Sequence, residues 1–228
     1  MCGRAYETYS EEELNIRYLN KRFPPLPDFL PTYNLCPTQN SPILHVLEGE
    51  RRFRMMHWQL IPEWESSFRT KLSTINARSE GVFESPLFGH LILRQRCIVP
   101  LSGFYEWKKE GKRRRPFRIC LCDESIMSVA GVWDTWHRGK PDERSSFSIL
   151  TTSANPFMST IHDRMPVILN RSDEEQWLDP EVQEPEILQQ LLKPCRASRL
   201  AAAEVSPLIN SPKNNSPDVF DPPKPLLF

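Results

Sequence analysis

Residues 96–136, RCIVPLSGFYEWKKEGKRRRPFRICLCDESIMSVAGVWDTW, read as one strand after another. β-Branched and aromatic residues alternate with polar ones, and two short polar turns break the run, at Lys109–Lys112 and at Asp123-Glu124-Ser125. Turns that short join antiparallel neighbours, because a parallel pair needs a crossover of about a dozen residues or more. PILHVLEGERRFRMMHWQLIP adds a hairpin with Gly49 in its turn, and SSFSILTTSAN adds a further strand. The expected fold class is therefore α+β, mainly antiparallel, with a barrel-like core and peripheral helices in a single domain over residues 1–228.

Three segments predict those helices. SEEELNIRYLNKRF opens on a capping-box pattern, Ser10 with Glu13, has Lys21 and Arg22 near its end and is stopped by Pro24 and Pro25. SDEEQWLDP repeats the pattern with Ser172 and Glu175, and PEILQQLLKP is a second short helix. The Pro-rich stretch PPLPDFLPTYNLCPTQNSP reads as an extended packed connector. The tail after Glu204 carries Val205, Leu208, Ile209, Val219 and Phe220, enough apolar surface to pack at least in part.

Composition excludes several functions. Lys+Arg and Asp+Glu balance at 29 each, so any nucleic-acid binding must come from a local patch. With 22 Pro and only 8 Gly, the chain has no GxGxxG and no GxxxxGK(S/T) phosphate loop. It has no basic-then-apolar leader and no apolar run of spanning length, so the expectation is a cytoplasmic protein without membrane contact, at the nucleoid if the source is bacterial. The six cysteines show no CxxC and no zinc spacing, so reduced thiols and no metal are expected, with Cys120 and Cys122 on one face of a strand.

Other residues are harder to explain by packing. Cys2 stands directly behind Met1, where chains tolerate almost anything. If Met1 is removed, however, Cys2 presents an α-amine and a thiol on adjacent carbons, a pair no internal residue offers. The α-amine titrates near ~7.7–8.0 and a thiol near ~8.5, so both are partly nucleophilic at neutral pH. INARSE holds Asn76 and Arg78, GFYEWKK holds Glu106 in mid-strand, STIHDRMP holds His162, and HWQLIPEW brackets a proline with two tryptophans. Each has a structural explanation: Glu106 on a solvent face, His162 capping a turn with Asp163, Arg78 paired with Glu80.

Taken together, MCGR, YNLCPTQ, WxLIPxW, NARxE, GFYEW, HDRMP and VSPLINSPKNNSP in one order resemble the SRAP family, the SOS-response-associated peptidase-like or abasic-site shielding proteins. The resemblance spans about residues 2–220. It implies that Cys2, freed of Met1, captures the ring-opened aldehyde of an abasic site in single-stranded DNA, its amine forming a Schiff base and its thiol closing a thiazolidine. It implies catalytic roles for Cys2, for Glu106 as proton carrier, for Asn76 in orienting the amine or opened sugar, and for His162 as a second acid/base. It assigns Arg4 and Arg78 to phosphates, Pro37 and Trp64 to wedging or stacking on bases, and Thr151 to the DNA backbone; Gly3 lets the chain approach closely. It implies no cofactor; the partner it implies is abasic single-stranded DNA, with any replication-associated partner left open, and a monomer suffices for one lesion. The tip KKEGKRRRP is either a basic fringe to that site or a solvated turn. The alternative reading is a thiol peptidase using the same N-terminal cysteine, with removal of Met1 as its minimal activity. Two positions depart from the family: Gln59 where glycine is common, and Cys36 where small or apolar residues are usual.

Overall fold

A computed structural model describes residues 2–19, 26 and 29–223. In chain order the elements are β1 (Ala5–Glu7), α1 (Glu11–Tyr18), β2 (Thr32–Leu35), β3 (Asn40–Leu47), β4 (Glu50–Trp58), β5 (Asn76–Arg78), α2 (Gly89–Arg94), β6 (Arg96–Leu101), β7 (Gly103–Glu110), β8 (Arg113–Leu121), β9 (Met127–Trp136), β10 (Arg144–Ser153), β11 (Arg164–Pro166), α3 (Glu174–Leu178), α4 (Pro185–Leu191) and β12 (Leu200–Glu204). Strands β10, β4, β3, β6 and β9 pair in sequence, and β9 pairs back to β10, closing a five-stranded barrel. A second sheet runs β12-β8-β7-β1-β2. This is the single-domain α+β barrel expected from the sequence.

The long strand run divides at one more place than its turns announce. β6 belongs to the barrel and β7 to the second sheet, and the chain crosses between them at Ser102. The β3–β4 hairpin closes on Glu48 and Gly49, both at positive φ (54° and 77°), the turn whose twist matches its strands. Gln59 takes a φ of 153°, a conformation glycine adopts freely, so the departure from the family at this position costs about 1–3 kcal/mol of backbone strain.

Ser10 caps α1 and forms the full capping box with Glu13. The expected continuation through Lys21, Arg22, Pro24 and Pro25 lies outside the described residues. Ser172 and Glu175 form no such box. Residues Arg171–Asp173 are a 3-10 turn and the N-cap of α3 is Asp173, because the Ser172 hydroxyl donates to the Asp173 carboxylate instead. Cys120 is buried but Cys122 is exposed, since β8 ends at Leu121 and the alternation stops there. Among the tail residues, Val205, Ile209 and Val219 are buried against Tyr6 and Tyr105 with Phe220 beside them, whereas Leu208 is exposed. No helix among the described residues is long and apolar enough to cross a membrane.

One buried acid lies between the sheets, away from the residues considered below. Burial pushes the Glu7 carboxyl up to about 8, against hydrogen bonds from Ser41 and Tyr9. The folded protein therefore keeps this proton while the unfolded chain, near 4.5, has already lost it. Stability is full below about 4.5 and falls as pH rises toward about 8. The Glu7→Gln protein is expected to lack this fall, so in urea unfolding at stepped pH its advantage over the unsubstituted protein should grow by up to ~1.4 kcal/mol per pH unit. A pH-independent difference would exclude a buried proton at Glu7.

Candidate active site

The N-terminal segment reaches the seam between the two sheets. β1 pairs antiparallel with β7 (Ala5 opposite Phe104, Tyr6 opposite Gly103), and Tyr105 N–H donates to Arg4 O at 2.9 Å. Cys2 and Gly3 are thereby carried along the stretch of β7 that bears Glu106. Cys2 is fully buried, in the same apolar cluster as Ala5 and Phe104 of the second sheet and Ile149, Met158 and Met165 of the barrel side.

Glu106 faces this seam and is buried, not solvated. Its neighbours Tyr105 and Trp107 point to the opposite face, where the C-terminal tail covers them. Trp107 Nε1 donates to Asn210 Oδ1 at 2.8 Å. A strand covered on both faces has no solvent side, so the alternation around Glu106 places it inward.

Asn76 arrives from the barrel. β5 runs parallel to β10, with Asn76 opposite Ile149 and Arg78 opposite Thr151. Asn76 Nδ2 donates to Cys2 O at 2.9 Å. Its Oδ1 is buried with no hydrogen-bond partner among the described residues. His162 follows the 3-10 turn Met158–Thr160, its N–H donating to Met158 O at 2.8 Å. His162 Nε2 lies 4.0 Å from Glu106 Oε2. Arg164 N–H donates to His162 Nδ1 at 3.0 Å, so the neutral ring carries its proton on Nε2, toward Glu106. Asp163 Oδ1 lies 2.9 Å from Nδ1, placed to accept a hydrogen bond from a protonated Nδ1. The four expected residues thus converge, two from each side of the seam.

Electrostatics sets the resting state of the Cys2 thiol. Burial first, and then the charge of Glu106, push the Cys2 thiol up to about 12. The thiol is therefore neutral at physiological pH. The Glu106 carboxyl and, 4.0 Å from it, the His162 imidazole are groups suited to acid–base chemistry on a carbonyl.

The other expected residues divide. Arg78 is exposed and makes no ion pair among the described residues; strand alternation puts it on the same face as Asn76. Glu80, its supposed partner, instead takes a bidentate ion pair from Arg164, with Arg164 Nη2 2.9 Å from Glu80 Oε2. Trp64 is 59% exposed and Pro37 half-buried. Trp58, the other tryptophan of its motif, is buried with Nε1 on Ile75 O. Arg4 is tied inward: Nη1 donates to Asn34 Oδ1 and Ile209 O, each at 2.7 Å, and the guanidinium lies 6.0 Å from the Trp107 ring centre. Thr151 is fully buried, its hydroxyl donating to Ala77 O, because β10 is flanked on both edges. It stands behind the site.

Arg164 stands in the sequence beside His162 and Asp163 in STIHDRMP, where no role was assigned to it. It joins Glu80, Thr151 O (2.7 Å) and the His162 ring. Its only signal was its place in HDRMP. Among the described residues no group of three or more His, Cys, Asp or Glu side chains is placed to hold a metal ion.

The family model described as SOS response associated peptidase (SRAP) matches residues 1–212. Abasic site processing protein YoqW of Bacillus subtilis (strain 168) is 38% identical over 225 residues, 97% of this chain and 99% of its own. Abasic site processing protein HMCES of Xenopus tropicalis is 28% identical, covering 96% of this chain and 77% of its own. A crystal structure of a protein from Bacteroides thetaiotaomicron superposes with a TM-score of 0.85 at 28% identity, covering 97% and 99% of the two chains.

Proposed function

The chain belongs to the SRAP family, and from that premise we propose that it processes abasic sites by capturing them covalently, in single-stranded DNA, through Cys2 after loss of Met1. The carrying observation is the convergence on Cys2: Asn76 holds its carbonyl and keeps a buried acceptor to spare, while Glu106 and His162 meet at 4.0 Å beside it.

The chemistry follows from those groups. The freed α-amine adds to the aldehyde carbon of the opened sugar, and water leaves to give an imine. The thiol then adds across the C=N bond. Its sulfur bonds to carbon and its proton passes to nitrogen, closing a thiazolidine. Protein plus DNA has lost one water. Asn76 Oδ1 accepts from the amine and aims its lone pair. As the sugar ring opens, the C1 hydroxyl gives up a proton and the ring oxygen gains one; His162 Nε2–H holds that oxygen by a hydrogen bond while the neighbouring Glu106 carboxylate relays the proton. Glu106 takes the thiol proton and delivers it to nitrogen. Arg78 receives the flanking phosphate as a planar fork of donors, and Trp64 and Pro37 receive the neighbouring bases. Arg4 and Thr151 support the segments that carry Cys2 and Arg78.

The peptidase reading asks for a thiolate at rest, whereas in the chain that still carries Met1 burial and the Glu106 charge push the Cys2 thiol up to about 12. In abasic-site capture the amine leads, and the thiol is needed only once an imine is present. The test mixes the protein with an oligonucleotide bearing one abasic site, followed by a denaturing gel and an intact mass. The expected product is a heat-stable band with the mass of protein without Met1, plus DNA, less one water. Absence of that band from protein that has lost Met1 would overturn the proposal.

A further inference from the structure

The β7–β8 hairpin continues the strand that bears Glu106 beyond the site. Between Lys108 and Arg115 it carries six of the chain's 29 basic residues and one of its 29 acidic residues. Since the chain as a whole is neutral, the remainder carries an excess of acidic groups. A polyanion is thus drawn to this projection more strongly than to the remainder taken as a whole.

The hairpin is built to hold those charges in place. Glu110 pairs with Arg113, leaving a two-residue loop, Gly111-Lys112, in which Gly111 supplies the positive φ of 60° that the tight turn requires. The register sets Lys109 directly opposite Arg114 and Lys108 opposite Arg115. Like charges facing each other across a strand pair are destabilising, and a turn charged only for solubility would alternate its signs. Arg115 is neutralised by Glu204 and Glu110, and Lys108 stands 3.7 Å from Glu110. Lys109, Lys112 and Arg114 are exposed and make no ion pair among the described residues.

We propose that this hairpin tip is a second anchoring surface for the captured nucleic acid, gripping backbone phosphates of the strand that flanks the lesion. The inference rests on the abasic-site reading. The Lys109–Arg114 pair lies about 10 Å along β7 from Glu106 and, by strand alternation, on the opposite face, the one that bears Tyr105 and Trp107, so a nucleotide chain that meets both passes around the edge of the hairpin. The contact is made to phosphates and reads no sequence.

The test combines Lys109→Gln, Lys112→Gln and Arg114→Gln in the full chain. Removing like charges from facing positions leaves the melting temperature equal or higher, so unfolding does not mimic the result. Fluorescence anisotropy then follows binding of a lesion-free single-stranded oligonucleotide across a salt series. The logarithmic salt slope is expected to be shallower by about 2, at about 0.7 for each phosphate no longer neutralised. Capture of a long abasic oligonucleotide is expected to slow, while capture of an abasic trinucleotide, too short to reach the tip, is unchanged. An unchanged slope together with unchanged capture of the long strand would overturn the proposal and leave the cations for a different partner. If the unsubstituted protein captures neither oligonucleotide, the abasic-site reading fails, and the anisotropy series still decides whether the tip binds phosphates.

Discussion

Cys2→Ser protein is expected to give no heat-stable adduct with abasic DNA, although its amine is intact. The serine amine still condenses with the aldehyde, so an imine forms. Oxygen is a poorer nucleophile than sulfur, and the oxygen-containing ring it closes reopens readily. The product remains in equilibrium with free aldehyde and falls apart on heating. Borohydride separates the two functions of the residue. Hydride reduces the imine carbon and nitrogen takes a proton, leaving a stable secondary amine, so the serine protein should be trapped when borohydride is present and not otherwise. Equal heat-stable yield from the serine and cysteine proteins would show that sulfur takes no part. Failure to trap with borohydride, in protein shown to have lost Met1, would show that the amine is not the attacking group.

Glu106→Gln is expected to slow capture at saturating DNA by about 10²–10⁴-fold, the usual worth of a positioned acid/base. The substitution keeps the size of the side chain in a buried position and removes its charge. It has a second consequence of opposite sense. The Glu106 charge helps push the Cys2 thiol up, so the glutamine protein holds a more acidic thiol, and Cys2 should react faster with a thiol-selective alkylating reagent as pH is raised. A residue that merely props up the fold would not slow one reaction of Cys2 while quickening another. If capture and alkylation both proceed at their original rates, the proton passes through another group.

Local features are legible in the linear sequence. The Ser10–Glu13 capping box forms as read, because both partners lie within one turn of one helix. The β3–β4 hairpin closes at Gly49, because a two-residue turn needs the positive φ that glycine permits. Where tertiary contacts compete, the pattern is not enough. Ser172 and Glu175 have the same spacing as Ser10 and Glu13, yet Ser172 is engaged by Asp173 next to it. Arg78 and Glu80 are two residues apart along the chain, but Glu80 is held by Arg164, a distant residue that meets it through β10 and β11. Arg4 resembles a free phosphate ligand in sequence, and only the fold shows that its Nη1 already donates to Asn34 of β2 and to Ile209 of the tail.

For the site, residue types and their order along the chain determined which chemistry was available. An amine and a thiol on adjacent carbons can exist only at position 2 of a chain that loses Met1, and the motifs around Asn76, Glu106 and His162 are short enough to read directly. Tertiary structure decided what those groups are. The C-terminal tail covers Tyr105 and Trp107 and turns Glu106 from a solvent-facing residue into a buried carboxylate. The seam between barrel and sheet buries Cys2 and makes its thiol a weak acid. Burial and neighbouring charge depend on every element packed around a side chain, and hydrogen bonds such as that from the Arg164 amide to His162 depend on which distant segments meet. A linear pattern specifies neither, because both arise only when the two sheets close on each other.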